Sequence, residues 1–172
     1  MCPAAWDVSR EMFLSESEVR QLLRAMEART RRADAGVSEH VDRLIVETLL
    51  YSGVRCSELC SLLADDVHSR EPHVFVRGKR GGGRTVWVPA ELHRRLREYM
   101  RTLRPELLAR DERRTREPGE LILNERRRAY ERTGLYRRVV RVLTAAGLGD
   151  RASVQLLRHT YGYLAYLRTG GN

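Results

Sequence analysis

Apolar residues recur at helical spacing from residue 15 onward, and the first such run carries its own start signal. Ser15-Glu16-Ser17-Glu18 has the spacing of a capping box, and Val19, Leu22, Leu23 and Met26 follow on one face. The pattern predicts a helix that fades in the arginine-rich stretch 29–34. A second helix is predicted from about Ser38, burying Val41, Leu44, Ile45 and Leu49 and stopping at Gly53, a residue suited to the left-handed geometry of a helix end. Residues 55–63 have the period of a short helix, ended by Asp65-Asp66.

The period then changes. His73 to Arg77 and Thr85 to Val88 are two β-branched, aromatic-containing runs, and the glycine-rich segment 78–83 joins them as a hairpin. Pro89 opens a helix whose apolar face is Leu92, Leu96, Tyr99, Met100 and Leu103. Residues 105–118 read as a charged surface excursion, and Leu121 to Leu123 as one short strand. A helix is predicted from Thr133, with Leu135, Val139, Val142, Leu143 and Ala146 inward, Arg137, Arg138 and Arg141 outward, and Gly147 at its end. A last helix runs from about Val154 to Arg168. The expected fold class is mainly α with a small antiparallel β-hairpin (α+β), in a single domain over 15–172 preceded by a short lead at 1–14.

Charge changes the picture. The net charge is +9, and residues 1–50 hold seven basic and nine acidic side chains, so the whole excess lies in 51–172. That imbalance points to a polyanionic partner, and arginine's planar fork matches phosphate geometry. Solvated surface charge is the alternative. No run is long and apolar enough to span a bilayer, and the N-terminus has no signal-peptide pattern, so a soluble cytoplasmic protein is expected. Cys56 and Cys60 stand four apart without a second pair, and His40, His68, His73 and His93 are scattered without ligand spacing. No metal or cofactor is expected, the cysteines read as small buried hydrophobes, and the histidines as surface or half-buried residues.

Of the 32 basic side chains only Lys79, inside VRGKRGGGRTV at 76–86, is a lysine. A GC-rich genome accounts for one leftover lysine; the chemical alternative is a proton donor, a role that arginine fills poorly. Two arginines also stand apart. Arg55 follows the Gly53 stop at a helix start, where backbone N–H groups and the helix dipole favour an anion, and Glu58 is placed to orient it. Arg158 lies near the start of the last helix, within QLLRHT.

In this order, with a helix and a hairpin between them, the three positions resemble the catalytic domain of the tyrosine recombinases, the phage-integrase family. The matching segments are LLYSGVRCSELCSLLADD at 49–66, VFVRGKRGGGRTVWVP at 74–89 and SVQLLRHTYGYLAYLRTGG at 153–171. Residues 13–26 resemble the family's opening helix. The resemblance implies that Arg55 and Arg158 grip the non-bridging oxygens of a scissile DNA phosphate, and that Lys79 protonates the departing 5′ oxygen. It implies that Glu58 and Asp66 support the first arginine and its surroundings. Arg77, Arg80 and Arg84, around the hairpin, are expected to contact DNA.

The pattern also departs from the family. Gln155 stands where the family has a histidine; it can donate a hydrogen bond but cannot act as an acid or base. His159, after the arginine, reads as structural, with a buried ring bonded locally. The family's Gly-His pair and nucleophilic tyrosine lie beyond the second arginine, and no residue here is assigned as nucleophile. Tyr161, Tyr163 and Tyr166 share the helix of Arg158 and do not substitute for that tyrosine; Tyr161, with Leu164, continues the buried face of Leu157 and reads as core packing. Two functions follow from the resemblance: a site-specific recombination domain acting on double-stranded DNA, or a catalytically inactive remnant that binds DNA or modulates an integrase. The expected partners are duplex DNA and either further copies of this chain or a full-length recombinase.

Overall fold

Helix α2 (Val37–Ser52) runs through the centre of the structure, a computed structural model that describes residues 9–78, 81–109 and 117–170. Val41, Leu44, Ile45, Val46, Leu49 and Leu50 are buried, but so are Asp42, Glu47, Thr48 and Ser52. A helix covered on so many sides is a core element rather than an amphipathic surface one, and α2 packs against four other helices. Those neighbours are α1 (Glu16–Thr30), α4 (Ala90–Arg101), α6 (Arg132–Ala145) and α7 (Val154–Arg168).

The expected start of α1 is present. Ser15 N–H donates to Glu18 Oε2 at 2.8 Å, and Glu18 N–H donates to Ser15 Oγ at 3.3 Å. The six described residues before it are not a loose lead. Leu14 is fully buried, its N–H donates to Thr160 Oγ1 of α7 at 2.8 Å, and the ring of Phe13 stacks on Tyr163 at 4.0 Å.

Gly53 ends α2 with φ +60°, its N–H bonded to Leu49 O at 3.2 Å. A Cβ there would also lie 2.3 Å from the ring of Tyr161, so glycine is required by both backbone and space. Helix α3 (Cys56–Cys60) follows, shorter than the predicted 55–63 because residues 62–64 pair with 119–121 instead, Leu121 N–H donating to Leu62 O at 2.7 Å and Ala64 N–H to Gly119 O at 2.9 Å; a 3₁₀ segment at Ala64–Asp66 comes next.

Strands β1 (His73–Arg77) and β2 (Gly83–Trp87) form the antiparallel hairpin, in register His73 to Trp87, Val76 to Arg84 and Arg77 to Gly83. β2 begins two residues earlier than its pattern suggests. Gly83 extends the ladder because the Phe75 ring lies over it, 2.3 Å from where a Cβ would sit. Val74, Val76 and Val86 face the core, while Phe75 and Trp87 are exposed.

Four expectations are corrected. Residues 103–109 form helix α5 (Leu103–Ala109) with Leu107 buried; Pro105 sits in its first turn, where a missing N–H leaves no bond unmade. Leu121, Ile122 and Leu123 are buried but, among the described residues, pair with no strand: isolated bridges join Leu63 to Glu120 and Leu123 to Ala129. Arg138 turns inward rather than outward. Its Nε donates to Asp42 Oδ1 at 2.5 Å and its Nη2 to Ser38 Oγ at 2.6 Å, while Nη1 reaches Glu125 at 3.4 Å. His93 is buried, its Nε2 bonded to the backbone oxygen of His68 at 2.7 Å.

Among the described residues no helix is long and apolar enough to cross a membrane.

Candidate functional site

The end of α2, the start of α3, strand β2 and α7 meet around one cavity of about 670 Å³, lined by Gly53, Arg55, Arg84, Trp87, Arg158 and Tyr161 among others. The sequence separates these residues by more than a hundred positions; the crossing of α7 against α2 brings them together. Arg158 is half-buried on α7, and its Nη1 is shielded from solvent with no hydrogen-bond partner among the described residues. Burial and the nearby positive charges of Arg55 and Arg84 push its pKa below the ordinary arginine value, against the pull of Glu58. A guanidinium N–H left without an acceptor in a cation-lined cavity is an anion-seeking donor.

Glu58 organises the other two guanidinium groups. Arg84 Nη1 and Nη2 donate to Glu58 Oε1 and Oε2, both at 2.9 Å, in a bidentate fork. Arg55 N–H donates to Oε2 at 2.7 Å, and Arg55 Nη1 reaches Oε1 at 3.3 Å. The hydrogen bonds from Arg84 act against desolvation and, with those from Arg55, bring the Glu58 pKa down to about 2. Glu58 therefore bonds both the backbone and the guanidinium of Arg55. The backbone N–H of Arg55 is occupied by that carboxylate and is not offered to an anion. The side chain is the exposed part of the residue, 65% accessible.

The remaining expected residues divide. Asp66 does not touch Arg55. It is almost fully buried, accepts the N–H of Leu63 at 2.9 Å, and binds Arg77 through Nη2 at 2.7 Å and Nε at 3.3 Å. Gln155 is exposed on the first turn of α7. His159 is also exposed, which corrects the expectation of a buried, locally bonded ring; it falls on the outer side of α7, away from the stripe formed by Leu156, Leu157 and Thr160. Lys79 and Arg80 lie outside the described residues. Tyr161 covers Gly53 and Tyr163 stacks on Phe13, in keeping with packing roles, whereas Tyr166 is exposed.

Two features were not read from the sequence. The first is the dual grip of Glu58, whose only signal was its three-residue offset from Arg55. The second corrects the view of the histidines as scattered: ligand atoms of His68, Glu71 and His73 lie within 4.8 Å of one another. His68 Nδ1 already accepts the Glu71 N–H at 2.8 Å and the Arg70 N–H at 3.4 Å, so its lone pair serves the turn. Burial raises the Cys56 thiol pKa and pushes Cys60 up to about 12, which keeps both thiols protonated and packed against the core.

Comparison with known proteins adds three findings. The pattern of the phage integrase family matches residues 12–170. Curated relatives include the tyrosine recombinase XerC of Halalkalibacterium halodurans, 32% identical over 149 residues, which cover 87% of this chain and 47% of that protein. The tyrosine recombinase XerA of Thermococcus kodakarensis is 35% identical over 153 residues, covering 86% of this chain and 46% of that protein. The chain thus spans about half the length of the curated relatives it matches. Among solved structures, a XerA recombinase superposes with a TM-score of 0.74 at 26% identity, covering 99% of this chain and 54% of that one. The XerH site-specific recombinase bound to difH substrate in a pre-cleavage complex shares the fold, with a TM-score of 0.70 at 21% identity over 92% of this chain and 44% of that one.

Proposed function

Because the chain belongs to the phage integrase family, we propose that it is a recombination domain that binds duplex DNA and seats a scissile phosphate against Arg55 and Arg158. The observation that carries this reading is the buried, unpartnered Nη1 of Arg158 in a cavity shared with Arg55. Two guanidinium groups there hold the non-bridging oxygens of a phosphodiester and stabilise the charge that gathers on them as phosphorus becomes five-coordinate. The attacking hydroxyl loses its proton to solvent as its oxygen bonds to phosphorus, the bond to the 5′ oxygen breaks, and the ammonium of Lys79 gives that oxygen its proton. Rejoining runs the same steps backward. Gln155 donates a hydrogen bond near the phosphate and takes no part in proton transfer. The nucleophile is assigned to no residue of this sequence.

Gln155 favours a second reading, in which the domain binds DNA or a recombinase without cleaving. Both readings place duplex DNA on the same cations, with further copies of this chain or a full-length recombinase as the protein partner.

The lone lysine makes a direct test available, since protein labelled with ¹³C only in lysine gives one side-chain signal. On titration with duplex DNA the Lys79 signal shifts in step with binding followed by fluorescence anisotropy. Binding with an unmoved Lys79 signal removes the lysine from the site. No duplex binding at physiological salt overturns the reading as a whole.

A further inference from the structure

We infer that Arg84 is a positioning residue: through the Glu58 carboxylate it holds Arg55 in place for the phosphate, rather than meeting the phosphate itself. The inference rests on the phosphate-binding reading of Arg55 above and assigns the work differently among the guanidinium groups of the same cavity.

The geometry separates the two arginines. Both terminal nitrogens of Arg84 are committed to Glu58 at 2.9 Å, so the head-on edge of its fork, one of the edges a guanidinium uses to grip an oxyanion, is already occupied. Arg55 gives Glu58 one side-chain bond at 3.3 Å and keeps the rest of its five N–H donors. Glu58 is the shared element: its side chain is 14% exposed and its two oxygens receive four N–H contacts, two from each arginine. That number fills the lone-pair capacity of a carboxylate, leaving it no freedom to swing. Removing Arg84 frees half of those contacts and lets Glu58 rotate, which loosens Arg55 at the other side.

The placement of Arg84 extends the argument to the hairpin. Arg84 faces Val76 in the ladder, and the next rung pairs Arg77 with Gly83. Arg77 is held by the buried Asp66 through Nε and Nη2. Each strand of the hairpin is therefore fastened by a carboxylate in the segment that follows Arg55, at the last two rungs before the glycine turn. Glu58 and Asp66 lie eight residues apart, one in α3 and the other in the 3₁₀ turn, so both fastenings start from the same short stretch of chain. Arg84 is thus a link between β2 and the Arg55 site, built from a fork that a lysine's single ammonium cannot reproduce.

A double-mutant cycle on duplex DNA affinity tests this, with Arg55→Ala, Arg84→Ala, Arg84→Lys, Glu58→Gln and the double substitution Arg55→Ala/Arg84→Ala. Circular dichroism and thermal melting are recorded for every variant. Arg84→Ala is expected to weaken binding about 3- to 10-fold in the otherwise unaltered chain and less than about 2-fold once Arg55 is alanine, because residues acting through one another are non-additive. Glu58→Gln, which keeps the shape of the side chain, follows Arg84→Ala, and Arg84→Lys gives no rescue. Full rescue by Arg84→Lys with an unchanged salt slope, or additive losses in the cycle, overturns the proposal and makes Arg84 a phosphate contact in its own right. If Arg55→Ala alone leaves the affinity unchanged, the phosphate site is misassigned and the positioning role goes with it.

Discussion

Arg138 on α6 and Arg158 on α7 are both drawn in from the surface, and they end in opposite circumstances. Arg138 reaches Asp42, Ser38 and Glu125, and its guanidinium lies 5.8 Å from the centre of the Tyr130 ring. Burial works against its charge, yet Tyr130, Asp42 and Glu125 outweigh it and hold the pKa above the usual arginine value. Arg158 has the reverse balance: burial and its cationic neighbours lower the pKa, and one of its nitrogens has no acceptor among the described residues. In a chain with 31 arginines, neither number nor burial separates structural from binding arginines. The separation comes from whether the fold supplies the anion. Arg138 is completed by its own protein, whereas the phosphate-binding reading proposed above gives Arg158 its acceptor from a ligand.

The largest effect that sharpens this contrast is on stability. Arg138→Ala leaves Asp42 buried with only Arg29 near it, at 3.3 Å, and is expected to cost about 3–5 kcal/mol in urea unfolding. Its DNA affinity per folded molecule stays unchanged. Arg158→Ala is expected to do the opposite. The affinity for duplex DNA falls about 10- to 100-fold, as for loss of charge-assisted hydrogen bonds, while stability changes by less than about 1 kcal/mol. A large stability loss in Arg158→Ala, with affinity intact, breaks the comparison.

Acid titration sharpens it further. The Glu58 pKa is depressed from 4.5 to about 2 in the folded chain, so the stability it contributes is complete above pH 4.5 and is lost as pH falls from 4.5 through about 2. Because Arg84 is 45% exposed and partly screened by solvent, the contribution is on the order of 1–2 kcal/mol. Unfolding experiments between pH 5 and pH 2 are expected to show a shallower acid loss in Arg84→Ala than in the unaltered chain. The smallest effect is expected at Arg94, an exposed arginine forked onto Glu91 and reaching Glu98 at 3.3 Å on α4. Arg94→Ala leaves the urea unfolding midpoint unchanged within error and DNA affinity within about 2-fold, as is usual for surface pairs.

What the sequence made legible was local. The Ser15–Glu18 box, the Gly53 stop and the bounds of α7 are each specified by residues within a turn or two, and all three appear as read. The inward turn of Arg138 was not legible because its partner, Asp42, is 96 residues away; its place on the stripe of Leu135, Val139 and Val142 was the available sign. Leu121 to Leu123 looked like a strand because three buried apolar residues have no period of their own, whereas the described residues give the segment only isolated bridges. Pro105 suggested a break, but a proline in the first turn is compatible with the helix that follows. Around the cavity, the sequence did not reveal which side chains bond to one another. Glu58 and Asp66 were read as supporting the first arginine and its surroundings; the side-chain fork on Glu58 comes from Arg84, and the one on Asp66 from Arg77. Short sequence offsets favoured the local partner, while the hairpin delivered a better-aligned fork from farther along the chain.

The central claim is that Arg158 completes its hydrogen bonding with a DNA phosphate, and the salt dependence of duplex binding tests it most directly. Each phosphate contact contributes about 0.9 to the slope of log affinity against log salt. Arg158→Ala is therefore predicted to lower both the affinity and the steepness of that slope, by about one unit. An unchanged slope, with affinity equal to that of the unaltered chain across the salt range, would contradict the account.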